Sequence, residues 1–157
     1  MTALLPAGSR VTRVRWWAPF EVRIGDRDVS FSGRVLDLTD PLARALVRFR
    51  AGRPATAPTE IVVSPTVLRR LGARLGDPVT TADGSGPYTV VGVAEFPDDL
   101  GPVVALHPAA WSPSDPAPDT SWLVDLPGRL DGDLVARLNG HGIVVTARTE
   151  VAARAPG

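Results

Sequence analysis

The sequence predicts an α+β domain in which mixed or antiparallel sheet dominates and about three short helices interrupt it. Three observations lead there. Stretches rich in Val, Ile and Phe, either alternating or continuous, outnumber the helical patterns. The helix signals are short, two of them opening on a capping residue followed by proline, and they do not recur at βαβ spacing. Finally, the 157 residues include 15 Gly and 16 Pro, so turns are frequent, and no repeat at a solenoid period is visible.

Phe20, Val22 and Ile24 alternate with Glu21 and Arg23, and Val29, Phe31 and Val35 alternate with Ser30, Ser32 and Arg34, across Gly25-Asp26-Arg27-Asp28. This is a hairpin with one buried and one wet face. Val11–Trp17 also has strand character, and Pro19 is expected to limit how far it runs as a central strand. Asp40-Pro41 opens a helix that carries Leu42, Ala45, Leu46 and Phe49 on one face and ends at Gly52. Residues 51–58 read as an extended connector. Ile61-Val62-Val63 reads as a buried strand, followed by a Ser64-Pro65 helix start that buries Val67, Leu68 and Leu71. Leu75-Gly76-Asp77-Pro78-Val79 turns the chain into a strand, and the Asp83–Pro87 turn leads into another at Tyr88–Phe96. Val103–Leu106 and Trp122–Leu126 are strands separated by a proline-rich loop at Ser112–Ser121. A helix over Asp131–Leu138 buries Leu134, Val135 and Leu138 and stops at Asn139-Gly140, before a final strand at Ile143–Ala147 and a frayed tail after Glu150.

Composition narrows the function. Seventeen arginines, with no lysine, balance 17 acidic residues, so the net charge of zero gives no electrostatic footprint for nucleic acid. With no cysteine there is no disulfide frame, thiolate metal site or thiol nucleophile. The N-terminus lacks a signal-peptide pattern, and no run approaches the ~20 apolar residues of a membrane helix.

Little points to chemistry. His107 and His141, the only imidazoles, lack neighbours at metal-ligand spacing and read as structural. The Asp98-Asp99 pair offers too few oxygens for a hard cation and reads as loop solvation. Gly84-Ser85-Gly86 lacks the lysine and helix start of a phosphate cradle and reads as a hairpin turn. Arg69-Arg70 reads as a solvated helix face. No catalytic motif is present, so neither an enzyme, nor a cofactor, nor a metal is expected. Trp16 and Trp17 are the candidate partner contact: neighbours in a strand point to opposite faces, so one ring is expected outward.

The stretch Glu60–Val79, with Gly76, Asp77 and Val79 at its turn, followed by Tyr88–Glu95, resembles the extracytoplasmic, MacB-like periplasmic core domain of FtsX-like ABC transporter permeases. Val103–Pro108 matches that family's next strand, and Trp122–Leu126 with the 131–138 helix and Gly142–Val145 resembles its return segment. The resemblance covers residues 45–147 and is best over 60–108. It implies a domain on the extracytoplasmic side of the cell membrane, in a membrane-embedded parent driven by a cytoplasmic ATP-binding subunit. The domain would contact an extracytoplasmic protein or export substrate without catalysing a reaction. The missing membrane helices fit an excised ectodomain. The resemblance also implies two lobes: a porter-like lobe from 1–58 and 119–157, and an inserted β-rich lobe from 59–118, with the connectors at 51–58 and 112–118 between them.

Two other readings compete. A stand-alone soluble α+β domain that binds a ligand or protein would show an apolar pocket with convergent polar groups. A hydrolase would have to bring Asp98, Asp99 and His107 together.

Overall fold

The computed structural model describes residues 4–97, 101–110, 120–128 and 130–145. In chain order the elements are β1 (Arg10–Ile24), β2 (Arg27–Val35), α1 (Pro41–Arg44), β3 (Arg48–Gly52), β4 (Glu60–Val63), α2 (Pro65–Leu71), β5 (Pro78–Val79), β6 (Tyr88–Glu95), β7 (Val103–Leu106), a 3-10 turn at Pro108–Ala110, β8 (Thr120–Asp125) and α3 (Gly132–Gly140). The described strands form one mixed sheet in the order β3-β6-β4-β7-β2-β1-β8, with β5 also paired to β6. The fold is therefore α+β with three short helices.

Strands β4 and β7 lie in the middle of the sheet, and every residue from Ile61 to Val63 and from Val103 to Leu106 is buried. A strand covered on both faces reads as a continuous apolar run rather than an alternation. Its side chains still alternate. Ile61, Val63, Val104 and Leu106 join Phe20, Val22, Phe31 and Val35 in one cluster, against which Leu68 and Leu71 of α2 pack. Val62, Val103 and Ala105 join Val14 in a second, which takes in Leu36, Leu38 and Ala43 from the segment after β2. Helix α2 is held where it is by Ser64, whose buried Oγ accepts from the Val67 N–H at its own first turn and, at 3.1 Å, from the Val103 N–H of β7. Gly72, with φ +61°, ends the helix in the left-handed region.

A β-bulge organises the first hairpin. Arg15 pairs with Val35 but Ala18 pairs with Gly33, so three steps on β1 match two on β2 and residues 16–17 face Arg34 alone. The extra residue flips the parity of β1. Before it, Val14 and Trp16 belong to the second cluster; after it, Ala18, Phe20 and Val22 belong to the first. Gly33 permits the close approach: a Cβ there would lie 1.9 Å from the Ala18 carbonyl oxygen. The hairpin closes through Gly25-Asp26, with Ile24 opposite Arg27 and Gly25 at φ +64°.

Four sequence expectations are corrected. Strand β1 does not stop near Pro19 but runs through it, opposite Ser32. Pro19 shares the parity of Glu21, whose carbonyl accepts from Ala82 rather than from β2, so the missing N–H removes no β1–β2 bond. The helix after Asp40 is only one turn long. Asp40 caps it as expected, accepting from Leu42 N–H at 2.9 Å, but Arg48–Gly52 leaves the helical pattern and pairs antiparallel with β6. Long-range pairing there overrides an amphipathic pattern too short to be stable alone. Helix α3 continues through Asn139-Gly140, and its stop is made one step later, with His141 as C-cap and Gly142 at φ +77°. The described part of the expected last strand, 143–145, is not extended in a sheet, and Val144 is 89% exposed; Thr146 and Ala147 lie outside the described residues.

The chain divides into two compact units, Val11–Leu123 and Met1–Arg10 with Val124–Gly157. Both apolar clusters belong to the first. In the second, Asp131 caps α3 by accepting from Leu134 N–H at 2.7 Å, Leu134 and Leu138 are buried, and Arg10 meets Asp125 at 3.2 Å. No helix among the described residues is long and apolar enough to cross a membrane.

Candidate functional site

The bulge alters what the tryptophan pair can present. Trp16 is half-buried against the second cluster, and the Arg34 guanidinium lies over its ring, 5.1 Å from the centroid. The side chain of Trp17 lies outside the described residues. Strict alternation of neighbours does not hold through a bulge, which is why simple strand parity is a poor guide at Trp16-Trp17. Among the described residues the tryptophan with the large exposed surface is Trp122 on β8, at 43%. Its neighbour Leu123 packs against the second cluster. Alternation along Trp122–Leu126 sets Trp122 on the more apolar face with Val124 and Leu126, so the sequence carried no signal for this exposure.

Both imidazoles serve the local backbone. His107 Nδ1 accepts from the Ala109 N–H at 3.0 Å, bracing the 3-10 turn, and His141 Nδ1 lies 2.8 Å from the Arg137 carbonyl at the end of α3. Asp98 and Asp99 lie outside the described residues. Among the described residues no three His, Asp or Glu side chains gather as a metal site would need. Arg69 and Arg70 are exposed, with Arg69 donating to Thr66 Oγ1 at 3.4 Å.

Two polar clusters that sequence patterns did not reveal fix loops. The Arg53 guanidinium grips both carboxylate oxygens of Glu60, which also accepts from the Thr56 N–H at 2.9 Å and the Thr56 hydroxyl at 3.0 Å. Bonding to Arg53 first, and to Thr56 next, holds the Glu60 carboxyl down at about 2. This clamp closes the connector between β3 and β4. In the loop between β5 and β6, Asp83 accepts from the Thr81 hydroxyl and from the Ser85 N–H, and these bonds lower it to about 2. The Ala82 N–H donates to the Glu21 carbonyl at 2.8 Å, docking that loop on β1.

Beside this dock lies a cleft of about 280 Å³. Strand β1 and the segment around β5 meet at a single bridge, Val22 opposite Thr81. Continued antiparallel pairing would set Arg23 against Thr80, Ile24 against Val79 and Gly25 against Pro78. Instead those same residues line the cleft, together with Leu71 and Ala73. Proline at 78 has no N–H to continue the ladder. The result is a small open wedge with two strand edges for walls, its surface more polar than apolar.

No protein-family model matches the sequence, and no characterised protein matches it in sequence. Comparison of folds is productive. The chain is similar to a domain of a candidate permease protein from Porphyromonas gingivalis (TM-score 0.64, 15% identity, covering 87% of this chain and 70% of that one). It is similar to the periplasmic region of MacB from Actinobacillus actinomycetemcomitans (TM-score 0.60, 12% identity, 90% and 72% covered). The extracellular domain of the noncanonic ABC-type transporter YknZ from Gram-positive bacteria is similar too (TM-score 0.56, 14% identity, 85% and 76% covered). The chain thus has the fold of extracytoplasmic domains of ABC-type transporter permeases.

Proposed function

We propose that this chain is a non-enzymatic extracytoplasmic domain of an FtsX/MacB-type ABC transporter permease. In this reading it contacts a partner protein or export substrate and relays motion driven by a cytoplasmic ATP-binding subunit. The parent protein is membrane-embedded, and the domain stands on the extracytoplasmic side of the cell membrane. One observation carries the reading: a fold likeness spanning 85–90% of the chain to domains of permeases and ABC-type transporters. The Gly76-Asp77-x-Val79 turn and the Tyr88–Val93 strand support it from the sequence side. A sheet buried on both faces suits a mechanical relay, since close-packed interiors transmit displacement with little compression. Trp16 and Trp17, at the bulge, belong to the proposed partner contact. The same proposal includes the porter-like lobe from 1–58 and 119–157 and the inserted lobe from 59–118. Those lobe boundaries differ from the compact units that meet at 10/11 and 123/124, so sites of limited proteolysis discriminate between the two divisions.

The test is topology in the source cell. An epitope placed in the Asp83–Pro87 loop of the natural gene product should sediment with membranes and be cut by protease added outside intact spheroplasts. A product that stays in the cytosol and is protected overturns the reading and leaves the stand-alone binding domain.

A further inference from the structure

We infer that Asn139-Gly140, at the C-terminal end of α3, is a site of spontaneous deamidation that opens when the last helical turn frays. Asn139 is the only asparagine of the chain, and asparagine is among the thermolabile side chains. A following glycine favours the reaction, because without a Cβ it leaves the attacking main-chain nitrogen unhindered. The Gly140 nitrogen loses its proton to hydroxide and attacks the side-chain carbonyl carbon of Asn139. The bond from that carbon to the amide nitrogen breaks, and the nitrogen takes a proton from water and leaves as ammonia. Water then opens the cyclic imide at either carbonyl. One opening gives aspartate; the other gives isoaspartate, with the main chain rerouted through the side-chain carbon. Water is the only co-reactant.

The structure sets this pair apart from two others of like sequence. Asp83-Gly84 and Asp131-Gly132 form the same imide by loss of water, but in the fold each carboxylate is tied down. Asp83 accepts from the Thr81 hydroxyl and the Ser85 N–H, and Asp131 accepts from the Leu134 N–H at 2.7 Å. The Gly84 N–H, which would have to attack, donates to the Thr81 carbonyl at 3.0 Å. Asn139 is exposed, and among the described residues no hydrogen bond holds its side chain. Nor does the fold require glycine at 140. Its φ is not positive and a Cβ there would meet nothing within 4 Å, whereas the helix stop is made by Gly142 at φ +77°. Glycine in the last turn weakens the helix where ends already fray, and local opening there needs far less free energy than global unfolding. The product alters the end of α3. Either form places a carboxylate at the negative end of the helix macrodipole. Isoaspartate also takes the Asn139 carbonyl out of the main chain, and that carbonyl accepts from the Gly142 N–H at 3.0 Å where the chain leaves the helix. The site goes beyond the transporter reading and stands without it: a cytosolic product would overturn that reading and leave the chemistry of α3 unchanged.

The 157-residue chain is aged at neutral pH, folded in buffer and unfolded in urea. Mass spectrometry follows the tryptic peptide that begins at Leu138, and an isoaspartate methyltransferase assay reads the same digest. The folded rate at Asn139 should lie within about tenfold of the unfolded rate, since only a helix end has to open. The folded-to-unfolded ratio for isomerisation at Asp83 should be smaller by roughly tenfold or more, because its hydrogen bonds must break first. Gly140→Ala should slow the folded chain by about fivefold more than the unfolded one, because alanine strengthens the last turn as well as crowding the nitrogen. If that variant fails to fold, the two ratios decide alone. A folded rate at Asn139 more than ~1,000-fold below the unfolded rate, as gating by global unfolding requires, overturns the proposal. Equal ratios at Asn139 and Asp83, or a Gly140→Ala effect no larger in the folded chain than in the unfolded one, overturn it too.

Discussion

Gly33→Ala tests the bulge that decides which residues of β1 enter which cluster. The added Cβ would sit 1.9 Å from the Ala18 carbonyl oxygen and 3.0 Å from its carbon, both backbone atoms that no side-chain rotation can remove. Relief requires β1 and β2 to separate by more than ~1 Å at that point, given the ordinary approach of about 3.3 Å between such atoms. Overpacking of this kind costs about 1–3 kcal/mol. Loosening the neighbouring hydrogen-bonded pairs Ala18–Gly33 and Phe20–Phe31 adds roughly 1 kcal/mol for each ladder hydrogen bond lost. The entropic gain of Gly→Ala in the unfolded chain returns about 0.4–1 kcal/mol. The net expectation is a loss of about 3 kcal/mol, a large share of the ~5–15 kcal/mol typical of a whole domain. Urea unfolding followed by tryptophan fluorescence should show the midpoint falling by roughly 1.5 M if the slope is about 2 kcal/mol per M. Gly128→Ala, where nothing lies within 4 Å and no positive φ is involved, is the control and should stay within about 0.5 kcal/mol. A Gly33→Ala loss below about 1 kcal/mol with the slope unchanged would refute the argument that the close approach needs glycine.

Ser64→Ala removes an acceptor shared by the α2 cap and β7, and should cost about 2 kcal/mol in the same urea assay, against roughly 1 kcal/mol for Asp131→Ala at the cap of α3. Glu60, Asp83 and Glu95 all titrate below their ordinary values because of the hydrogen bonds they accept. A lowered native value means the folded state is favoured above the ordinary carboxylate range and loses that advantage as pH falls toward the native value. Thermal midpoints should therefore decline from about pH 4.5 down to about pH 2. Glu60→Gln should flatten part of that slope and leave the midpoint insensitive to pH above 6; an unchanged slope would show that the Arg53 clamp does not hold in solution.

Local chemistry made some elements legible. The capped starts at Asp40-Pro41 and Ser64-Pro65 each name a hydrogen bond that the fold makes, and the hairpin from Phe20 to Val35 follows from alternation alone. Ile61-Val62-Val63 was readable as buried because a strand covered on both faces has no polar alternation to hide. What failed was decided by distant partners. Whether Arg48–Gly52 continues a helix or joins β6 depends on Gly92–Glu95, forty or more residues away. The path of β1 through Pro19 depends on which way Glu21 points, and that is settled by Ala82. The outward ring expected at Trp16-Trp17 was argued from strict alternation, which does not apply across a bulge, and the partner contact proposed there is separate from that argument. The apolar phase hid the bulge: Val14, Trp16, Phe20 and Val22 are spaced by even numbers, so strict alternation puts them on one face, whereas the fold divides them between two clusters.

The same bulge bears on how a domain with so little chemistry could act. The parity flip lets one strand contribute Val14 to one cluster and Phe20 and Val22 to the other, so β1 ties both sides of the sheet together. Val22 lies on the far side of the flip, in one cluster with Val63 and Val104 at the centre of the sheet. Close packing leaves a displacement of β1 few places to dissipate. Val22→Ala should therefore speed hydrogen exchange in the amides of β4 and β7 as well as in β1. Faster exchange confined to residues 20–24 would show that β1 is not coupled to the centre of the sheet in this way.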